Sequence, residues 1–169
     1  EEMSELFSQI NQNSENISFL LLEYCFEEFP KNPICLNRLG LAYDNGYGVA
    51  RNKDKAFEFY KRSYDLDFSY AANNLGYNYY HGGFDKIDYD KAKFYYEKSI
   101  ELDEENFLAY NNLGVAYLEG LAVEKDIKKA TALFEKASEL GNLEANINLG
   151  DIYSDSSYNK IDCGKSLYY

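Results

Sequence analysis

Tryptophan is absent from the 169 residues, proline occurs only at Pro30 and Pro33, and histidine only at His81. So little proline leaves long stretches in which a helix can run uninterrupted. A single histidine provides no His/Cys cluster for zinc. The three cysteines, Cys25, Cys35 and Cys163, stand at no repeating interval. An odd, irregular set is a poor disulfide framework and fits a reducing compartment. The longest apolar run, residues 17–22 with Ser18 inside it, is too short to span a bilayer. A cytoplasmic location is the expectation, and a removed leader is left open because the chain starts at Glu1 rather than Met.

Basic residues are also scarce: 17 Lys and Arg stand against 29 Asp and Glu, for a net charge of −12. Binding to phosphate backbones needs stripes of cations, so nucleic-acid binding is disfavoured, as is contact with an anionic membrane surface. Residues 1–32 hold seven acids and one base, which is half of the net charge. A neutral or basic protein or peptide is the natural electrostatic complement. With 46% hydrophobic residues, including 18 Tyr and 11 Phe, the chain is rich enough to build a core.

What is present is a repeat. Leu39-Gly40, Leu75-Gly76, Leu113-Gly114 and Leu149-Gly150 are spaced by 36, 38 and 36 residues. Four residues after each Leu comes Tyr43, Tyr79, Tyr117 or Tyr153, and four before it a small side chain, Cys35, Ala71, Ala109 or Ala145. Small residue, Leu and Tyr thus form one stripe at helical spacing. Glycine beside that Leu costs an isolated helix about 1 kcal/mol relative to Ala, so its recurrence implies close approach of a neighbouring helix. Gly46, Gly82 and Gly120 are helix-ending positions. Asn52, Asp88, Asp126 and Asp162 can cap a second helix carrying Ala56, Ala92, Ala130 and Ser166.

The blocks Asn73-Asn74-Leu75-Gly76-Tyr77-Asn78-Tyr79 and Asn111-Asn112-Leu113-Gly114-Val115-Ala116-Tyr117, with Asp88-x-x-Lys91-Ala92 and Asp126-x-x-Lys129-Ala130, resemble the two helices of a Sel-1-like repeat. Tetratricopeptide repeats are similar but have a shorter inter-helix turn; the connector Asp103-Glu104-Glu105-Asn106 resembles their style. The resemblance implies an all-α fold, a right-handed α-α superhelix (solenoid) of antiparallel helix pairs. The units are 33–68, 69–104, 105–142 and a truncated 143–169. Residues 1–32 form either a capping helix, with Ser14 as cap and Pro30 as stop, or a degenerate earlier repeat. Residues 1–12 are either poorly ordered or a short helix around Leu6, Phe7 and Ile10. Ser156 and Ser166 depart from the pattern, and the array stops inside a helix. A piece of a longer array, or a missing ordered tail, is the expectation.

Such repeats present a concave face lined mainly by first helices. By analogy with tetratricopeptide folds, the groove contains Asn37, Leu41, Asp44, Tyr70, Asn73, Tyr77, Tyr80, His81, Asn111, Val115 and Leu118, with Ile147 in the fourth unit. Asn37, Asn73 and Asn111 either clamp a peptide backbone or, with Asn74, Asn112 and Asn148, bond between repeats. Tyr77 and Tyr80 lie off the core stripe and suit a binding surface. Arg38 is the only cation offered by the first helices, while Asp44, Glu119, Asp151 and Asp155 oppose it, so a carboxylate clamp is disfavoured.

The expected function is a non-catalytic scaffold or adaptor that binds a protein or peptide, with no cofactor or metal. The alternative is a structural segment of a larger assembly, including self-association through the exposed last repeat. A penicillin-interacting hydrolase is a remote reading by family association. Its lure, Ser157-Tyr158-Asn159-Lys160, falls in an expected loop without a K-T-G partner.

Overall fold

The computed structural model describes residues 16–154, all of whose regular structure is helical. Helix α1 covers residues 16–28. It is followed by α2 (Pro33–Asn45), α3 (Lys53–Tyr64), α4 (Ser69–His81), α5 (Tyr89–Leu102), α6 (Phe107–Glu119), α7 (Ile127–Glu139) and α8 (Leu143–Ser154). The chain divides into two compact units, residues 1–87 and 88–169, with the boundary in the loop between α4 and α5.

In the first unit, α2 and α3 form an antiparallel pair. Ser63 Oγ at the end of α3 donates to Pro33 C=O at the start of α2 (2.7 Å). At the other end Asn52 N–H donates to Tyr43 C=O (2.8 Å). Between these ends, Gly40 faces Tyr60. A Cβ on Gly40 would lie 2.6 Å from the Tyr60 ring, so glycine is what lets the two helices close. Helix α4 returns along α3, with Phe57 and Tyr79 in edge contact at 6.4 Å.

Helix α1 packs Phe19 edge-on against Tyr43 (5.6 Å) and Phe26 against Phe59 (5.6 Å). Its other face carries Ile17, Leu20, Leu21 and Tyr24 at helical spacing, each at least 60% exposed. The cysteines correct an expectation. Cys25 on α1 and Cys35 on α2 are joined in a disulfide, their Cα atoms 6.3 Å apart. Pairing depends on two residues being brought within reach and not on an even count. The turn through Pro30, closed by Asn32 N–H to Phe29 C=O (2.9 Å), does that. Ser14, Asp155, Ser156, the Ser157–Lys160 motif, Asp162, Cys163 and Ser166 lie outside the described residues, as do the readings of residues 1–12.

The second unit repeats the device. Gly114 faces Phe134, where a Cβ would lie 2.7 Å from the ring, and Tyr117 C=O accepts from Asp126 N–H (3.0 Å). Helix α8 folds back on α7, tied by Tyr153 OH to Glu135 Oε1 (3.0 Å). Helix α5 meets α6 through a short connector in which Asn106 Nδ2 donates to Ser99 Oγ (3.0 Å).

The punctuation is local chemistry. Asn52, Asp88 and Asp126 each accept a backbone N–H three residues on at 3.0 Å, satisfying a free helix-end donor. Gly46, Gly82 and Gly120 close the first helices with φ of 83°, 69° and 75°, the left-handed region that a side chain disfavours.

Candidate functional site

The expected groove residues fall into a buried layer and an exposed layer. Asn37 and Asp44 on α2 and Asn73 on α4 are all buried, as is Asn111 on α6. Asn74 Nδ2 on α4 donates to Asn37 Oδ1 on α2 (2.9 Å). Asn148 Nδ2 on α8 donates to Asn111 Oδ1 on α6 (3.0 Å). The two asparagine sets thus bond to each other between successive first helices within each unit. This placement favours the inter-repeat role over a row of peptide clamps, because the side-chain carbonyl is already engaged beneath the surface.

Asp44 is the centre of a polar knot in the first unit. Its carboxylate accepts from Tyr60 OH (3.1 Å) and Asn78 Nδ2 (2.8 Å) and pairs with Lys53 Nζ. Lys53 Nζ also donates to Asn78 Oδ1 (3.2 Å), and Arg51 Nε donates to Asp44 C=O (2.8 Å). Burial, and then the charge and hydrogen bond of Asp44, push the Tyr60 hydroxyl well above the usual tyrosine range. Asp44 was expected to face a ligand. It instead holds α2, the following loop, α3 and α4 together. A buried carboxylate without partners would be costly, and Lys53 at the start of α3 supplies the cation.

The exposed layer of the first unit lies on α4. Tyr77 is 50% exposed. The exposed His81 lies against it with ring centroids 4.3 Å apart, and the half-buried Tyr80 contacts His81 at 5.0 Å. Tyr70 is half-buried beside Phe68 (5.7 Å), and Leu41 on α2 is half-buried. In the second unit the corresponding surface is apolar: Val115 and Leu118 are half-buried on α6, and Ile147 on α8 is 66% exposed. Glu119 and Asp151 are exposed.

One feature was not foreseen from the sequence. A cavity of about 310 Å³ opens between α1 and α2, lined by residues that include Phe19, Leu22, Arg38, Leu41, Ala42 and Tyr47. The signal available beforehand was the solitary cation, Arg38. Among the described residues, no group of three or more His, Cys, Asp or Glu is arranged to hold a metal ion. No described helix is long and apolar enough to cross a membrane.

Comparison with known proteins agrees with this architecture. The Sel1 repeat model matches residues 33–68, 69–104 and 108–142. A Sel1 repeat protein from Oxalobacter formigenes is 25% identical, with a TM-score of 0.70 over 90% of this chain and 62% of its own. The antigen c5321 of uropathogenic Escherichia coli, described as displaying an SLR fold, is 22% identical with a TM-score of 0.68, over 86% of this chain and 34% of its own. Helicobacter pylori cysteine rich protein B (hcpB) is 26% identical with a TM-score of 0.54, over 73% of this chain and 91% of its own. The chain therefore spans less than two thirds of the first two structures. No curated protein matches it. These likenesses show the all-α helical repeat solenoid class. With three matched units covering more than half of its residues, the chain belongs to the Sel1 repeat family.

Proposed function

We propose that this chain is a non-catalytic scaffold that receives a protein or peptide segment on the first-helix surface of its first unit. Sel1 repeat proteins act generally as scaffolds for protein interactions, and the family is typically non-catalytic. The observation that carries the finer reading is the aromatic cluster of Tyr77, Tyr80 and His81. Tyr77 stays half exposed on α4 while its neighbours Gly76 and Asn78 are buried. Tyrosine offers a large contact area with few rotors to immobilise, and so costs little entropy on binding. Asn78, next to Tyr77 on α4, donates to the buried Asp44 carboxylate (2.8 Å). The net charge of −12 favours a neutral or basic partner. The test is capture of a partner from native extract by wild type and by the Tyr77→Ala/Tyr80→Ala variant. Loss of capture with unchanged helicity supports the reading, and equal capture overturns it.

Leu143 and Ile147, 78% and 66% exposed on α8, support a second reading in which that surface joins a larger assembly. In that case Leu143→Glu/Ile147→Glu abolishes assembly while the α4 variant does not.

A further inference from the structure

The cavity between α1 and α2 combines apolar walls with a cation, Arg38. Phe19, Leu22, Leu41 and Ala42 supply the apolar lining, and Ser18, Arg38 and Tyr47 are its exposed polar members. Arg38 is the sole Lys or Arg on α2, α4, α6 and α8. Among the described residues it forms no ion pair, whereas Lys53, Lys61, Arg62, Lys91, Lys93 and Lys98 all do. In a chain with net charge −12, Arg38 thus places a guanidinium with no carboxylate partner among the described residues beside an apolar cavity.

We propose that this cavity binds the C-terminal residue of a partner polypeptide, its bulky apolar side chain in the cavity and its carboxylate on Arg38. The guanidinium fork matches a carboxylate in two parallel hydrogen bonds. A polypeptide C-terminus places that carboxylate and a large side chain on the same residue, so both are met by one short segment. A volume of about 310 Å³ is at the small end of ligand pockets and suits one large side chain with its backbone. A long fatty acid has the same two chemical parts, but most of its methylenes would remain in water there. The proposal departs from the expectation against a carboxylate clamp, because a cavity beside Arg38 lets one cation suffice where the other first helices offer none. The proposal deepens the scaffold reading and rests on it, since Leu41 belongs to both the cavity and the expected groove.

The test uses the full chain and fluorescein-labelled Lys-Gly-Ser-Gly-Phe and Lys-Gly-Ser-Gly-Leu, each as the free acid and as the carboxamide, read by anisotropy. The free acids bind saturably and the carboxamides bind about tenfold more weakly, the effect of losing a charge-assisted bond at a partly exposed site. Arg38→Gln brings the free acid down to the carboxamide level without changing the thermal midpoint, because the side chain is exposed. Arg38→Lys falls between the two. Equal affinity of acid and carboxamide, no binding of either, or an unchanged affinity in Arg38→Gln would each overturn the proposal. So would saturable binding of decanoate where the peptide acids fail, which would assign the cavity to lipid. Any of these results, obtained while the Tyr77→Ala/Tyr80→Ala variant still loses its captured partner, removes the C-terminal anchor and leaves the scaffold reading standing.

Discussion

Asn74 Nδ2 donates to Asn37 Oδ1 at 2.9 Å across 37 residues of sequence, joining one first helix to the next. The Asn148–Asn111 bond reproduces it in the second unit with the same separation and a length of 3.0 Å. Two side chains one repeat apart thus set the register between neighbouring first helices, and they do so with a directional bond where apolar packing alone would allow sliding.

Removing one member should therefore cost more than a surface substitution. Asn74→Ala leaves Asn37 buried with its carbonyl unanswered, and a loss of about 1–3 kcal/mol is expected. Replacing both, as Asn37→Ala/Asn74→Ala, should cost less than the sum of the two single changes to Ala, because no polar partner is left stranded. Urea unfolding of the four species measures the coupling. Additive losses would mean that the bond contributes nothing of its own.

Tyr60 makes stability depend on alkaline pH. Burial first, then the Asp44 charge, raise its pKa above the free tyrosine value of about 10. The native state keeps the proton while the unfolded chain releases it. The contribution is thus full below pH ~10 and is lost as pH rises towards the folded value, with a slope approaching about 1.4 kcal/mol per pH unit. Tyr60→Phe should remove one proton's share of that slope between pH ~10 and ~11. At neutral pH it should cost about 1 kcal/mol, from the donor taken away from Asp44. Unfolding midpoints against pH for the two proteins give the comparison. Parallel curves would show that Tyr60 ionises as freely in the folded state.

Gly40→Ala pits two effects against each other. Helix propensity favours Ala by about 1 kcal/mol. The new Cβ, however, would lie 2.6 Å from the Tyr60 ring, which is itself fully buried and bonded to Asp44. Overpacking of this kind typically costs about 1–3 kcal/mol, so net destabilisation is expected. Gly40→Ala/Tyr60→Leu should recover part of that loss by returning space. A stabilised Gly40→Ala would show that the ring shifts freely.

The helix caps were legible because their chemistry is local. Asn52, Asp88 and Asp126 answer backbone donors three residues away, and Gly46, Gly82 and Gly120 answer a backbone angle of their own. The close approach at Gly40 and Gly114 was legible because a costly residue recurred. The fate of Asn37 and Asp44 was not. Position along α2 put both on the expected groove face, but their partners Asn74, Asn78, Lys53 and Tyr60 lie 9 to 37 residues away. In the turn between α2 and α3, Arg51 reaches back to Asp44, and Lys53 does the same from the start of α3, a feature the tetratricopeptide analogy does not contain. Tyr77 and Tyr80 could be placed off the core stripe from spacing alone. The cavity beside Arg38 could not, since it needs the packing of α1 on α2.

The pairing of Cys25 with Cys35 gives a chemical handle on α1. The bond closes a loop from α1 into α2, spanning a sequence separation of 10. For a loop of that size the chain-entropy model gives about 2–3 kcal/mol of stabilisation. Protein purified under oxidising conditions should therefore expose one reactive thiol on denaturation, and three after reduction, out of the three cysteines present. Cys25→Ser/Cys35→Ser should lower stability by the same amount as reduction, and reduction should have no further effect on that variant. Because α1 supplies Phe19 and Leu22 to the cavity, freeing it should also weaken the peptide acids more than it weakens partner capture through Tyr77 and Tyr80. Three thiols reacting in the oxidised, denatured protein would mean the two sulfurs are neighbours without a bond. The stabilisation of α1 would then rest on non-covalent packing, Phe19 on Tyr43 and Phe26 on Phe59 among it.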